Sequence, residues 1–95
     1  MKYKSIFRKK KDGPLIEYDR PVTLKYQISE DFAVYEWMPN HYDYLYKDIC
    51  FAQMAGVGTK QETEALINDW LLGIGTMGSY HFDKIGKAIE MCTEA

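Results

Sequence analysis

The stretch Asn40-His-Tyr-Asp-Tyr-Leu-Tyr-Lys-Asp-Ile-Cys-Phe-Ala-Gln-Met-Ala-Gly56 decides how the chain is read, because it joins a strand-like first part to a helix-like last part. Asn40 reads as a helix cap, and Asp43, three residues on, as a carboxylate set against the positive end of a helix dipole. Leu45, Ile49 and Ala52 recur at helical spacing with Tyr42, Tyr46 and Cys50 beside them, and Gly56-Val57-Gly58 ends the run. This pattern predicts a helix over about residues 41–55. Tyr42, Tyr44 and Tyr46 cannot all lie on one helical face, so some of them are expected at an exposed rim.

Upstream, the chain reads as strands. Tyr3–Arg8 and Leu15–Tyr18 flank Lys11-Asp12-Gly13-Pro14, and an Asp-Gly between such runs signals a hairpin. Val22, Leu24, Tyr26 and Ile28 alternate with Thr23, Lys25 and Gln27, the period of a half-buried strand. Ser29-Glu30-Asp31 is a turn, and Phe32–Met38 is a fourth run stopped by Pro39.

Downstream, Thr59 and Glu62 fit a capping box, in which hydroxyl and carboxylate satisfy orphan backbone donors reciprocally. Leu66, Ile67, Trp70, Leu71 and Ile74 then form one apolar stripe, predicting a helix over about 60–73. After the Gly73–Gly78 loop, Ser79 caps a last helix over about 80–92, lined by Phe82, Ile85, Ala88, Ile89 and Cys92. Strands followed by helices predict an α+β domain spanning 1–95: an antiparallel sheet of three to four strands (residues 3–38), with two to three helices on one face. The other face of the sheet is then open. If Phe32, Val34 and Met38 face inwards, Tyr35 and Trp37 lie on that open face.

Composition narrows the class. Ninety-five residues with 46% apolar and 27% charged side chains fit one globular domain rather than a disordered or repetitive chain. No apolar run approaches the length that spans a bilayer, and the N-terminus lacks a signal-like apolar segment. A cytoplasmic protein with reduced thiols is therefore expected. Residues 1–30 carry a net +4 and residues 31–95 a net −6. Lys2, Lys4, Arg8, Lys9 and Lys10 form a basic segment that reads either as a guarded edge strand or as a phosphate footprint.

The candidate chemistry is sparse. Gly73-x-Gly75-x-x-Gly78 matches a dinucleotide fingerprint in letters, but a helix precedes it where a strand is required, so it reads as a helix–helix connection. A phosphate at the start of the last helix is the alternative. His41-x-Asp43 and His81-x-Asp83 offer metal-ligand types, yet each fits the first turn of a predicted helix equally well. Cys50 and Cys92 fall on apolar segments and read as buried thiols. No metal, cofactor or catalytic set is expected. The surplus is aromatic: eight Tyr, two Trp and four Phe are more than one small core takes up.

Thr63-Glu-x-Leu66, Trp70-Leu-Leu-Gly73-Ile, the glycine-rich turn and Ile85-x-x-Ala88-Ile89 together resemble the helical half of a small anti-CRISPR family of Pseudomonas phages. That family inhibits the type I-F surveillance complex and has an antiparallel sheet followed by two antiparallel helices. The resemblance covers about a third of the chain, needs a one-residue insertion before Trp70, and carries over no functional residue. It implies a compact, non-catalytic inhibitor.

The expected function is thus a phage- or mobile-element-encoded inhibitor that blocks a host protein or ribonucleoprotein complex by occupying its surface. Tyr35, Trp37, Tyr42, Asp43, Tyr44 and Asp48 are the expected contact residues. The alternatives are a nucleic-acid-binding module using the basic N-terminal strand, a nucleotide sponge at an oligomer interface, and a homodimer subunit.

Overall fold

The computed structural model describes residues 1–6, 16–72 and 90. They contain strands β1 (Lys2–Ser5), β2 (Ile16–Asp19), β3 (Thr23–Gln27), β4 (Phe32–Met38), β5 (His41–Tyr46) and β6 (Ile49–Ala55), followed by helix α1 (Lys60–Leu71). The strands form one six-stranded sheet in the order β2-β1-β6-β5-β4-β3. All neighbours are antiparallel except β1 and β6, which pair in parallel through Lys4–Ile49 and Ser5–Cys50. The architecture is therefore a mixed sheet of six strands with a single helix among the described residues. It replaces the expected antiparallel sheet of three to four strands with two to three helices. The helix expected over 80–92 lies outside the described residues, apart from Glu90.

The correction falls on residues 41–55. Asn40 is no helix cap: its φ of 63° places it in the left-handed region, in the two-residue turn between β4 and β5. Lys47 and Asp48, with φ of 47° and 64°, form a second such turn and split the segment into two strands. Two successive left-handed residues match the right-handed twist of the strands they join. The tyrosines then fall into place by strand alternation. Tyr42, Tyr44 and Tyr46 share one face of β5, while Asp43 and Leu45 point to the other.

The alternation expected of Val22, Leu24, Tyr26 and Ile28 does not hold: Tyr26 and Ile28 pack with the core beneath α1, Val22 packs with Tyr18 and Tyr35 on the other face, and Leu24 is exposed, because the register shifts between Leu24 and Tyr26. Met38, expected to face inwards with Phe32 and Val34, is exposed as well. The β3–β4 turn and the start of α1 follow the sequence reading. Ser29 Oγ accepts from the backbone N–H groups of Asp31 and Phe32, fixing the β3–β4 turn. Thr59 and Glu62 form the reciprocal capping box, with Thr59 Oγ1 accepting from Glu62 N–H at 3.1 Å and Glu62 Oε1 from Thr59 N–H at 3.1 Å. These bonds hold the Glu62 carboxyl below its ordinary pKa.

Helix α1 packs on the face that carries the tyrosines. Ile67 and Trp70 are buried against Val34, Tyr42, Tyr44, Phe51 and Ala52. The rings meet at an angle: Tyr44–Trp70 at 5.6 Å between centroids, Phe51–Trp70 at 6.2 Å and Phe32–Phe51 at 5.8 Å. Tilted and edge-on pairs of this kind add about 0.5–1.5 kcal/mol each beyond the area they bury.

The sheet also coils strongly. Strands β2 and β3 are its two edges, yet only Arg20, Pro21 and Val22 connect them. In a flat sheet five interstrand spacings would separate the edges by about 24 Å, whereas a link from Asp19 to Thr23 reaches about 14 Å at most. The edges must therefore curl towards one another. Three one-residue register shifts supply the bend: Lys25 in β3, Trp37 in β4 and Phe51 in β6 are each the extra residue of a bulge. A bulge bends its strand and increases the local twist. The bulge at Phe51 adjoins the short β1–β6 pairing.

Candidate functional site

The coil brings side chains from four strands to one guanidinium on the face opposite α1. Arg20 Nε donates to the Tyr3 hydroxyl on β1 at 2.9 Å, and its Nη2 donates to Asp43 Oδ2 on β5. The Tyr3 hydroxyl in turn donates to the same Asp43 oxygen. The guanidinium carbon lies 4.2 Å from the ring centre of Tyr18 on β2 and 4.2 Å from that of Trp37 on β4. The bulge at Trp37 is what aims its ring there. At the backbone, Arg20 N–H donates to the Met1 carbonyl at 3.3 Å, and the Met1 ammonium donates to the Arg20 carbonyl at 3.1 Å.

Below this cluster, Leu45, Cys50 and Ser5 are buried. Asp43 is fully buried, and its Oδ1 has no hydrogen-bond partner among the described residues. Burial, and then the hydrogen bond to Asp43, raise the Tyr3 pKa well above its ordinary value. Burial lowers that of Arg20, but its bonds to Tyr3 and Asp43 more than offset this and leave it raised. The Cys50 thiol is pushed far up by burial and by the nearby Asp43 charge. It is held as a neutral thiol, which is the unreactive form.

Beside the closed cluster the surface opens. A cleft of about 270 Å³ is lined by Pro21, Val22, Thr23, Glu36, Trp37, Met38 and Pro39, so its wall is mixed, with one carboxylate among the apolar side chains. Met38 is 42% exposed and Leu24, on the neighbouring edge strand, 50%. A second cleft of about 360 Å³ lies at the start of α1, between Met54, Val57, Glu62 and Leu66.

The expected contact residues separate into two groups. Tyr35 and Trp37 are half-buried on the face away from α1, where Trp37 adjoins the open cleft. Asp48 is exposed in the β5–β6 turn. Tyr42, Asp43 and Tyr44 are buried and form no rim: Tyr42 and Tyr44 pack beneath α1, and Asp43 holds Arg20. Burial, with a Glu36 hydrogen bond for Tyr42, raises the pKa of both tyrosines. Of the basic segment, Lys2 and Lys4 are exposed on β1, while Arg8, Lys9 and Lys10 lie outside the described residues. So do the Gly73–Gly78 loop, His81, Asp83 and Cys92. His41 stands 5.4 Å from Trp37 between ring centres, and Asp43, two residues on, bonds instead to Arg20. Among the described residues no three potential metal ligands come together, and no helix is long and apolar enough to cross a membrane.

Sequence reasoning missed Arg20, Tyr3 and Tyr18. The available signal was slight: Arg20 is one of only two arginines, directly after a strand, and Asp43 is the lone charge in a tyrosine run. Thr63, Leu66 and Trp70, which carry the anti-CRISPR resemblance, are positions that seat α1 on the sheet. Comparison with protein-family models, curated proteins and solved structures gives no match.

Proposed function

We propose that this chain is a small binding protein that acts by occupying a protein surface, through the apolar patch of Leu24, Trp37, Met38 and the Pro21–Pro39 cleft. One observation carries this reading: two large apolar side chains, Leu24 and Met38, stand 50% and 42% exposed beside a cleft that Pro21, Val22, Trp37 and Pro39 line together with Thr23 and Glu36. A cleft flanked by an aromatic ring and two prolines suits an apolar anchor from a partner, the kind of contact that dominates interface energy. The Cys50 thiol is sealed, and the Asp43 carboxylate is engaged by Arg20.

Within that class, the reading drawn from the resemblance is an inhibitor of a host defence complex encoded by a phage or mobile element. Two experiments test these levels separately. Tagged protein is captured from bacterial lysate at moderate salt beside the folded double variant Leu24→Asp/Met38→Asp. A protein complex in fixed ratio with the parent chain, lost in the variant, supports the patch. Recovery of nucleic acid alone, released by salt, favours the basic strand with Lys2 and Lys4 instead. For the narrower reading, the chain is expressed in cells whose type I-F system targets a phage. Restored plaque formation supports an anti-defence role, and unchanged plating refutes that target.

A further inference from the structure

We propose that the face of the sheet opposite α1 is a guanidinium receptor, which the chain's own Arg20 occupies. Each component of such a receptor is present. Tyr18 and Trp37 flank the guanidinium carbon at 4.2 Å each, so the cation lies between two aromatic rings. Rings in this position attract cations, and most strongly where water is excluded. Tyr3 supplies an acceptor at 2.9 Å, and Asp43 supplies a fully buried carboxylate. A planar guanidinium matches this combination of stacked rings and in-plane acceptors, and a compact ammonium does not.

Arg20 fills the receptor incompletely. A guanidinium and a carboxylate pair best through two parallel N–H···O bonds. Here the Tyr3 hydroxyl and Arg20 Nη2 both converge on Oδ2, and buried Oδ1 has no partner among the described residues. The backbone explains this. Arg20 is fixed on both sides by Met1, through its N–H and its carbonyl, so the side chain reaches the carboxylate from one direction only. The preference for a guanidinium rests on the two ring faces of Tyr18 and Trp37 and on the two oxygen acceptors, the Tyr3 hydroxyl and Asp43 Oδ2, that Arg20 engages. The site is therefore selective for guanidinium compounds, and in the native chain it is filled intramolecularly.

The test is chemical complementation of Arg20→Ala with methylguanidinium, read by thermal unfolding. At about 20 mM, far below denaturing concentrations, methylguanidinium is expected to raise the midpoint of the variant by about 3 °C or more. The parent chain, already occupied, is expected to show no rise. Ethylammonium at the same concentration should leave the variant unchanged, and adding Asp43→Asn should abolish the response. Should Arg20→Ala not fold alone, recovery of its native circular dichroism on adding methylguanidinium supports the receptor. The proposal is overturned by failure of methylguanidinium to stabilise or refold the variant, by an equal effect of ethylammonium, or by an undiminished response without the Asp43 carboxylate.

Discussion

Replacing Arg20 with Met removes the cation but keeps an unbranched side chain between Tyr18 and Trp37. The fully buried Asp43 is then left with the Tyr3 hydroxyl as its remaining partner. Removing one member of a buried ion pair costs about 3–5 kcal/mol, because the other charge stays desolvated. Arg20 is 24% exposed, so solvent screens part of the pair and the lower end, about 3 kcal/mol, is expected. Asp43→Asn strands a cation that retains some water, and about 2 kcal/mol is expected. The double variant Arg20→Met/Asp43→Asn leaves neither charge uncompensated. Its cost should fall below the sum of the single changes by about 1–3 kcal/mol. The whole domain is worth about 5–14 kcal/mol, so each single change is readable by urea unfolding at pH 7. A loss below about 1 kcal/mol for Arg20→Met, or strict additivity of the two changes, would refute the idea that this pair fastens the coiled sheet.

The left-handed turn at Lys47 and Asp48 gives a prediction of opposite sign. Lys47→Asn with Asp48→Gly should stabilise by about 1 kcal/mol, seen as a higher urea midpoint at unchanged slope, because these residues accept positive φ more readily. Thr59→Ala should cost about 1 kcal/mol through loss of the cap. The Glu62 half of that capping box has a depressed folded pKa, so its contribution is present above the ordinary 4.5 and is lost as pH falls through the lower folded value. The difference between parent and Glu62→Ala should shrink correspondingly in acid. Tyr3 and Cys50 have raised folded pKa values, so their contributions are complete below the ordinary 10.0 and 9.0 and decline as pH rises beyond them. In a Cys92→Ser background, Cys50 should resist a thiol reagent at pH 8 until urea unfolds the chain, and prompt reaction in native buffer would contradict its burial.

What was legible in the chain follows its locality. Helix α1 was readable because Thr59, Glu62 and the Leu66–Ile67–Trp70 stripe act over a few residues. Strand β4 was readable for the same reason, bounded by the Ser29 turn and by Pro39. Residues 41–55 were misread because Leu45, Ile49 and Ala52 fit a helical period by coincidence. The competing signal is three tyrosines at every second position, Tyr42, Tyr44 and Tyr46, which is the period of a strand. Asn40 illustrates the ambiguity at a single residue, since asparagine suits both a helix cap and a left-handed turn. The Arg20 cluster was not legible at all. It depends on β1 pairing in parallel with β6 and on the sheet coiling at three bulges, which bring Tyr3, Tyr18, Trp37 and Asp43 together from well-separated parts of the chain. From sequence Asp43 reads as a surface contact, whereas the fold buries it as the anchor of Arg20.

The most direct test of the proposed function is site-specific photocrosslinking in cells. A benzophenone side chain is placed at Leu24 or Met38 in the apolar patch and, as a control, at Glu64 on the exposed side of α1. A discrete protein adduct from Leu24 and Met38, with none from Glu64, is the expected result. Adducts that form equally at all three positions, or only at Glu64, would contradict binding through the patch.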